Sequence, residues 1–125
     1  MELILDTNIW IAYLEKADSQ HEKALHVFDL IDQKIWIPEY VLIEILNFLV
    51  IKVGKNRADE VLTMFFHNRD LEILWNSEEF RAQLLSFFVS NKFEKLSFVD
   101  QSLLFLSKKY KVVTFDKVLA KRIGR

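Results

Sequence analysis

The sequence predicts an α/β layer architecture, on three observations. Four short apolar runs, residues 2–5, 34–37, 71–75 and 111–115, have strand length, and longer stretches with helically spaced apolar residues separate them. Strands alternating with helices imply parallel strands joined by helical crossovers. The chain holds two glycines (Gly54, Gly124) and one proline (Pro38), too few for turn-rich all-β classes. Apolar types make up 51% of the 125 residues, enough for the core of one domain over 1–125 and against disorder.

Taken in order, Glu2-Leu3-Ile4-Leu5 reads as a buried strand that ends at Asp6. Thr7 and Asn8 suit a helix start, and Ile9, Trp10, Ile11, Tyr13 and Leu14 supply its apolar side. Ser19 to Ile31 is the second helix, with Ala24, Leu25, Phe28 and Ile31 on one face. The strand 34–37 stops at Pro38, which also favours a helix start. Glu39 to Val53 is apolar on most sides, so a largely buried helix is expected, ended by Gly54. Arg57 to His67 forms another helix and Leu71 to Trp75 the third strand. Ser77-Glu78-Glu79 opens a helix carrying Leu84, Leu85, Phe87 and Phe88. Ser97 to Tyr110 is a further helix, Lys111 to Phe115 the fourth strand, and a short basic helix follows Asp116. Trp10, Trp36 and Trp75 are expected in the core rather than as platforms for stacked bases.

Composition removes several function classes. With no cysteine there is no disulfide, thiolate metal site or cysteine nucleophile, and a reducing cytoplasm is the expected location. Two distant glycines cannot form a phosphate-binding glycine loop. His21 and His26 flank a near miss to a zinc-binding helix motif, but five residues apart they sit about 140° around a helix and cannot share an ion. No run is long and apolar enough for a membrane span, because Glu44 and Asn47 interrupt the greasiest stretch. The net charge of −1 hides an asymmetry. Residues 108–125 hold seven basic side chains against Asp116, leaving −7 on the rest. Such an end could contact a polyanion or simply be a solvated helix face.

Four acids stand out by placement. Ligands of an open parallel sheet gather at the carboxyl ends of its strands. Asp6 closes the first strand and Asp116 the fourth. Asp100 lies in the first turn of the helix before that fourth strand. The helix descends about 15 Å to Tyr110, and the strand climbs back about 17 Å, returning Asp116 to the height of Asp100. Glu44 is one to two turns into the helix that leaves the second strand at the same edge. Plainer roles exist: Asp6 and Asp116 as helix caps, Asp100 in a capping box with Ser97, and Glu44 in a solvent stripe with Asn47 and Lys55. Glu44 fits its plain role least, since Val41-Leu42-Ile43 and Ile45-Leu46 surround it and an unpaired charge there is costly. Four carboxylates at one rim repel one another unless divalent cations gather them. The all-oxygen donors suit Mg²⁺ or Mn²⁺ rather than zinc. Such ions can hold a phosphodiester and activate water without a protein nucleophile. An aspartyl-phosphate phosphatase is a rival, but its second Asp would fall where Asn8 stands.

Asp6-Thr7-Asn8 after the first strand, Glu44 in its apolar helix, Ser97-Phe98-Val99-Asp100, and Thr114-Phe115-Asp116 together resemble the PIN-domain family. They resemble most the VapC-type toxins of prokaryotic toxin–antitoxin pairs, over essentially the whole chain. The resemblance implies a three-layer α/β/α sandwich around a parallel sheet of four strands, or five. It implies a metal-dependent endoribonuclease acting on single-stranded or structured RNA, with Asp6, Glu44, Asp100 and Asp116 as catalytic metal ligands for Mg²⁺ or Mn²⁺. Asn8, Ser97 and Thr114 match supporting positions. It further implies an RNA substrate, an antitoxin partner and a homodimer. Relatives usually carry a last edge strand after the short C-terminal helix, and Lys121 to Arg125 offers no run for it. The alternative is a non-catalytic PIN-like RNA-binding or scaffold domain.

Overall fold

The structure, a computed structural model, describes residues 1–124. Four strands, β1 (Glu2–Leu5), β2 (Ile35–Pro38), β3 (Leu71–Leu74) and β4 (Tyr110–Val113), form one sheet in the order β3-β2-β1-β4. Every pairing is parallel, with Leu3 opposite Ile35, Ile37 opposite Ile73, and Leu5 opposite Val113. The helices are α1 (Thr7–Leu14), α2 (His21–Asp29), α3 (Glu39–Lys52), α4 (Lys55–His67), α5 (Glu78–Ser90), α6 (Phe98–Leu106) and α7 (Lys117–Ile123). The order of strands dictates the layers. From β1 to β2 to β3 the chain steps one way, and right-handed crossovers put α1–α4 on one face. From β3 it returns across the whole sheet to β4, which puts α5 and α6 on the other. Contacts agree: α1 packs on α2 and α3, and α3 on α4, while α6 packs on α5, α7 and β4. The result is the three-layer α/β/α sandwich that the resemblance implies. Among the described residues no fifth strand pairs with β4.

The central strands are greasiest because both faces are covered. Ile4, Leu5 and Ile37 are fully buried, and the edge strand β3 is only half-buried. Trp10, on α1, is 2% exposed and ties the helices of this layer together, edge-on to Phe28 of α2 and tilted against Phe65 of α4.

Three expectations need correction. The helix expected over 97–110 stops at Leu106, because a tight turn through Ser107–Lys109 folds amides back onto Leu104, Phe105 and Leu106 carbonyls. The strand accordingly starts at Tyr110 and ends at Val113, so Thr114, Phe115 and Asp116 form a loop at the sheet edge. Secondly, α3 is not buried all round: Val41, Leu42, Ile45 and Leu49 face inward, while Ile43, Val50 and Ile51 are exposed. On α5 only Leu84 is fully enclosed, since α6 is that helix's main neighbour. Trp75 is also out of the core, at 58% exposed. Thirdly, Lys55 belongs to α4, so it shares no helix with Glu44 and Asn47.

Gly54 does more than stop α3. Its amide and that of Val53 share the Leu49 carbonyl, and its own carbonyl accepts from Ala58 at the start of α4. Two helices thereby meet across two residues, which demands the backbone angles φ 140°, ψ 157° at Gly54. This region is open essentially to glycine alone. A Cβ at Gly54 would meet nothing within 4 Å. Gly54→Ala should therefore lose stability through the backbone alone, by about 1–3 kcal/mol in urea unfolding.

Candidate active site

The chain leaves β1 toward one helical layer and β4 toward the other, so a crevice opens between their carboxyl ends. This switch in direction is where parallel sheets bind ligands. The Asp6 amide donates to the Val113 carbonyl at 2.9 Å, which continues the β1–β4 ladder by one rung. Beyond it the backbones part, and side chains take over the link. The Thr114 hydroxyl donates to Asp6 Oδ2 at 2.6 Å, and accepts from the Asp116 amide at 3.0 Å and Asn8 Nδ2 at 3.4 Å. One donor and two lone pairs are thus all engaged. Asn8 Oδ1 accepts from the Phe115 amide at 3.3 Å, closing the loop.

Each acid has a local reason for its place. Asp6 caps α1, where Oδ1 accepts from the Thr7 amide at 2.7 Å. Asp116 caps α7 through the Leu119 amide, 2.9 Å from Oδ1. Asp100 closes a capping box: Oδ2 accepts from the Ser97 amide, and Ser97 Oγ accepts from the Asp100 amide, both at 3.0 Å. Glu44, on α3, accepts from the Thr7 hydroxyl at 2.6 Å. The capping roles are real, and they coexist with convergence. All four acids line one open cleft of about 420 Å³, together with Thr7, Asn8 and Asn47. Ser97 is exposed and acts on the α6 start, and Thr114 acts from beneath through Asp6.

Among the described residues no Lys, Arg or His lines this cleft. Asp6 is only 5% exposed, and burial pushes its carboxyl up to about 6. The Thr114 and Thr7 hydrogen bonds oppose that rise, whereas the charges of Asp100 and Glu44 add to it. Among the described residues, no three His, Cys, Asp or Glu side chains stand close enough together to hold a metal ion as they are. The donor chemistry nevertheless fits a hard divalent cation: the acids are carboxylates, their charge is uncompensated, and such ions keep several waters that span gaps between ligands. Another cleft, of about 430 Å³, opens at the opposite edge of the sheet, where Trp10, Tyr13 and Phe28 line it together with Asp32, Lys34 and Asp70.

In the sequence Thr7 reads only as a helix start. Its hydroxyl is what joins Glu44 to the Asp6 segment, and the apolar surroundings of Glu44 were the available sign that some partner must exist. Nothing local in the sequence marks Lys23, which lies over the ring of Phe115, the neighbour of Asp116, 4.5 Å from its centre.

A parallel α/β/α sandwich with an acid-lined cleft at its strand ends is thus the class of molecule. The PIN domain family matches residues 3–124, and the chain belongs to that family. Its fold is similar to the crystal structure of Mycobacterium tuberculosis VapC20, described as a sarcin-ricin loop cleaving toxin. The TM-score is 0.83 and the identity 18%, over 96% of this chain and 94% of that one. No curated protein matches the chain.

Proposed function

We propose that the chain is a metal-dependent endoribonuclease and the toxin of a toxin–antitoxin pair. The observation that carries this reading is the meeting of Asp6, Glu44, Asp100 and Asp116, from four separate parts of the sequence, in one cleft that no cation among the described residues lines. These four acids are the residues that would hold Mg²⁺ or Mn²⁺. A cation there would offset phosphate charge and make a bound water acidic enough to attack phosphorus. The protein's part is orientation. The Thr114 hydroxyl and the Thr7 amide fix the Asp6 carboxylate, leaving a lone pair on each oxygen. The Thr7 hydroxyl holds Glu44, and the Ser97 amide holds Asp100.

Among the described residues no helix is long and apolar enough to cross a membrane, and a cytoplasmic location follows from the toxin reading. An antitoxin and a second copy of the chain are the protein partners this reading entails. Exposed Ile43, Ile51, Leu85 and Phe88 on α3 and α5 are apolar surface available to them.

The test is cleavage of labelled RNA by the purified chain with Mg²⁺ or Mn²⁺. Chelation by EDTA should lower the rate by about two orders of magnitude or more, and excess Mn²⁺ should restore it. Cleavage that persists undiminished in EDTA would contradict the reading. A non-catalytic RNA-binding domain is the second reading, favoured by the acids not being close enough to share an ion as they stand. It requires RNA affinity indifferent to metal, with no products.

A further inference from the structure

The basic run 108–125 does not stay together in the fold. Lys108 and Lys109 lie in the turn before β4 and Lys111 is the second residue of that strand, at the amino edge of the sheet. Lys108 lies over the rings of Phe87 and Phe105, 5.4 and 5.0 Å from their centres. Asp116 lies in the loop beyond the carboxyl end of β4, so these three cations sit toward the opposite edge of the sheet from the acid cleft. Lys117, Lys121 and Arg122 are different. They sit on α7, whose first residue follows Asp116, and they line a groove of about 360 Å³.

Two lysines from elsewhere in the sequence join them. The segment from Asn91 to Ser97 leads into Asp100, and it carries Lys92 and Lys95. With Arg122, both line a cleft of about 250 Å³ between this segment and α7. The Arg122 guanidinium lies over the Phe93 ring, 4.9 Å from its centre, so the two elements are in contact. Glu94 is the acid among these lining residues, and among the described residues none of the cations pairs with a carboxylate.

The segment is held from below by Gln101, which is 4% exposed. Its Oε1 accepts from Asn91 Nδ2 at 2.9 Å, and its Nε2 donates to the Leu96 carbonyl at 3.1 Å and the Phe93 carbonyl at 3.4 Å. Asn91 Oδ1 in turn accepts from the Phe93 amide at 3.0 Å. A buried amide with this many partners is costly to disturb, so Lys92 and Lys95 project from a braced segment.

We infer that Lys92 and Lys95 form, with Lys121 and Arg122, a cationic track that guides the backbone of the RNA substrate into the acid cleft, and that Gln101 is the positioning residue for its outer half. The inference rests on the nuclease reading. Along the chain Lys95 precedes Asp100 by five residues and α7 starts directly after Asp116, so a polyanion bound along the track would meet the carboxylates only where these two elements lead into the acid cleft.

The test is binding of a fluorescein-labelled single-stranded RNA oligonucleotide in EDTA, followed by cleavage with Mn²⁺. Lys92→Glu/Lys95→Glu should weaken binding about tenfold or more and reduce the salt slope by about 1 to 2. Lys108→Glu/Lys109→Glu changes net charge equally at the other edge and should shift affinity by less than about twofold. Gln101→Leu should raise KM for RNA cleavage with kcat retained; a lowered kcat at unchanged KM would reflect lost active protein and overturn the positioning role. Equal losses in both lysine pairs, or none in either, would overturn the track while leaving cleavage by the parent chain intact. A parent chain that neither binds nor cleaves RNA overturns the nuclease reading and the track with it.

Discussion

Asp100→Asn is expected to lower RNA cleavage by about two orders of magnitude or more while leaving the fold in place. The separation of the two effects follows from the geometry. Asp100 performs two tasks, accepting the Ser97 amide at the start of α6 and presenting charge to the cleft. An asparagine carbonyl oxygen still accepts that amide, so the capping box survives, whereas the charge is gone. Stability should change by no more than about 0.5 kcal/mol. Initial cleavage rates at saturating Mn²⁺, paired with thermal unfolding, check both halves. Asp100→Ala is a poorer probe, because it would also cost the helix a cap of about 1 kcal/mol. Undiminished cleavage by Asp100→Asn would remove this residue from the chemistry.

Asp6→Asn is expected to make the metal-free protein more stable at pH 8. Burial holds the folded-state carboxyl near 6, against 3.8 for the free group. The folded chain therefore binds this proton more tightly than the unfolded chain does. Its stability from this group is greatest below about pH 4 and is lost as pH rises through 6, a difference of about 3 kcal/mol when complete. Asparagine removes the charge and can still accept the Thr7 amide, but it turns an N–H toward the Thr114 hydroxyl, which now donates to Oδ2. The hydroxyl must rotate and give up one of the two bonds it accepts, the Asn8 one at 3.4 Å being the weaker, so a net gain of about 1–2 kcal/mol is the reasonable expectation. Urea unfolding in EDTA across pH 4 to 8 should show the gain at the alkaline end and none at the acid end. A variant less stable than the parent at pH 8 would mean that the hydrogen bonds to Asp6 outweigh its burial.

The elements with clear periodicity were readable from the chain itself. The β1 run is apolar on both faces because it is central, and Asp6 is the abrupt end of that run. Glu44 could be singled out because an acid amid Val41–Leu46 needs a partner, and rise per residue placed Asp100 beside Asp116. What escaped depends on contacts between distant segments. Nothing local distinguishes the exposed Ile43, Ile51 and Trp75 from core residues, since exposure is set by which side of a helix or strand end lacks a neighbour. Ser97 to Tyr110 reads as one helix because its apolar spacing runs on into the strand, and the turn at Ser107 that divides them has no proline or glycine to mark it. The split of the basic run, and the bracing of Lys92 and Lys95 by Gln101, arise only once α6, α7 and β4 are packed.

Asp6 and Asp116 are the N-caps of α1 and α7, and Asp100 lies in the first turn of α6, so the amino ends of three helices face the same cleft. Each brings a macrodipole worth up to about half a positive elementary charge. Together they act as a built-in partial countercharge, large enough to let the carboxylates gather when the protein folds yet well short of the four negative charges they face. On the nuclease reading, the cleft is then a fixed negative potential well into which a small cation would be drawn from solvent.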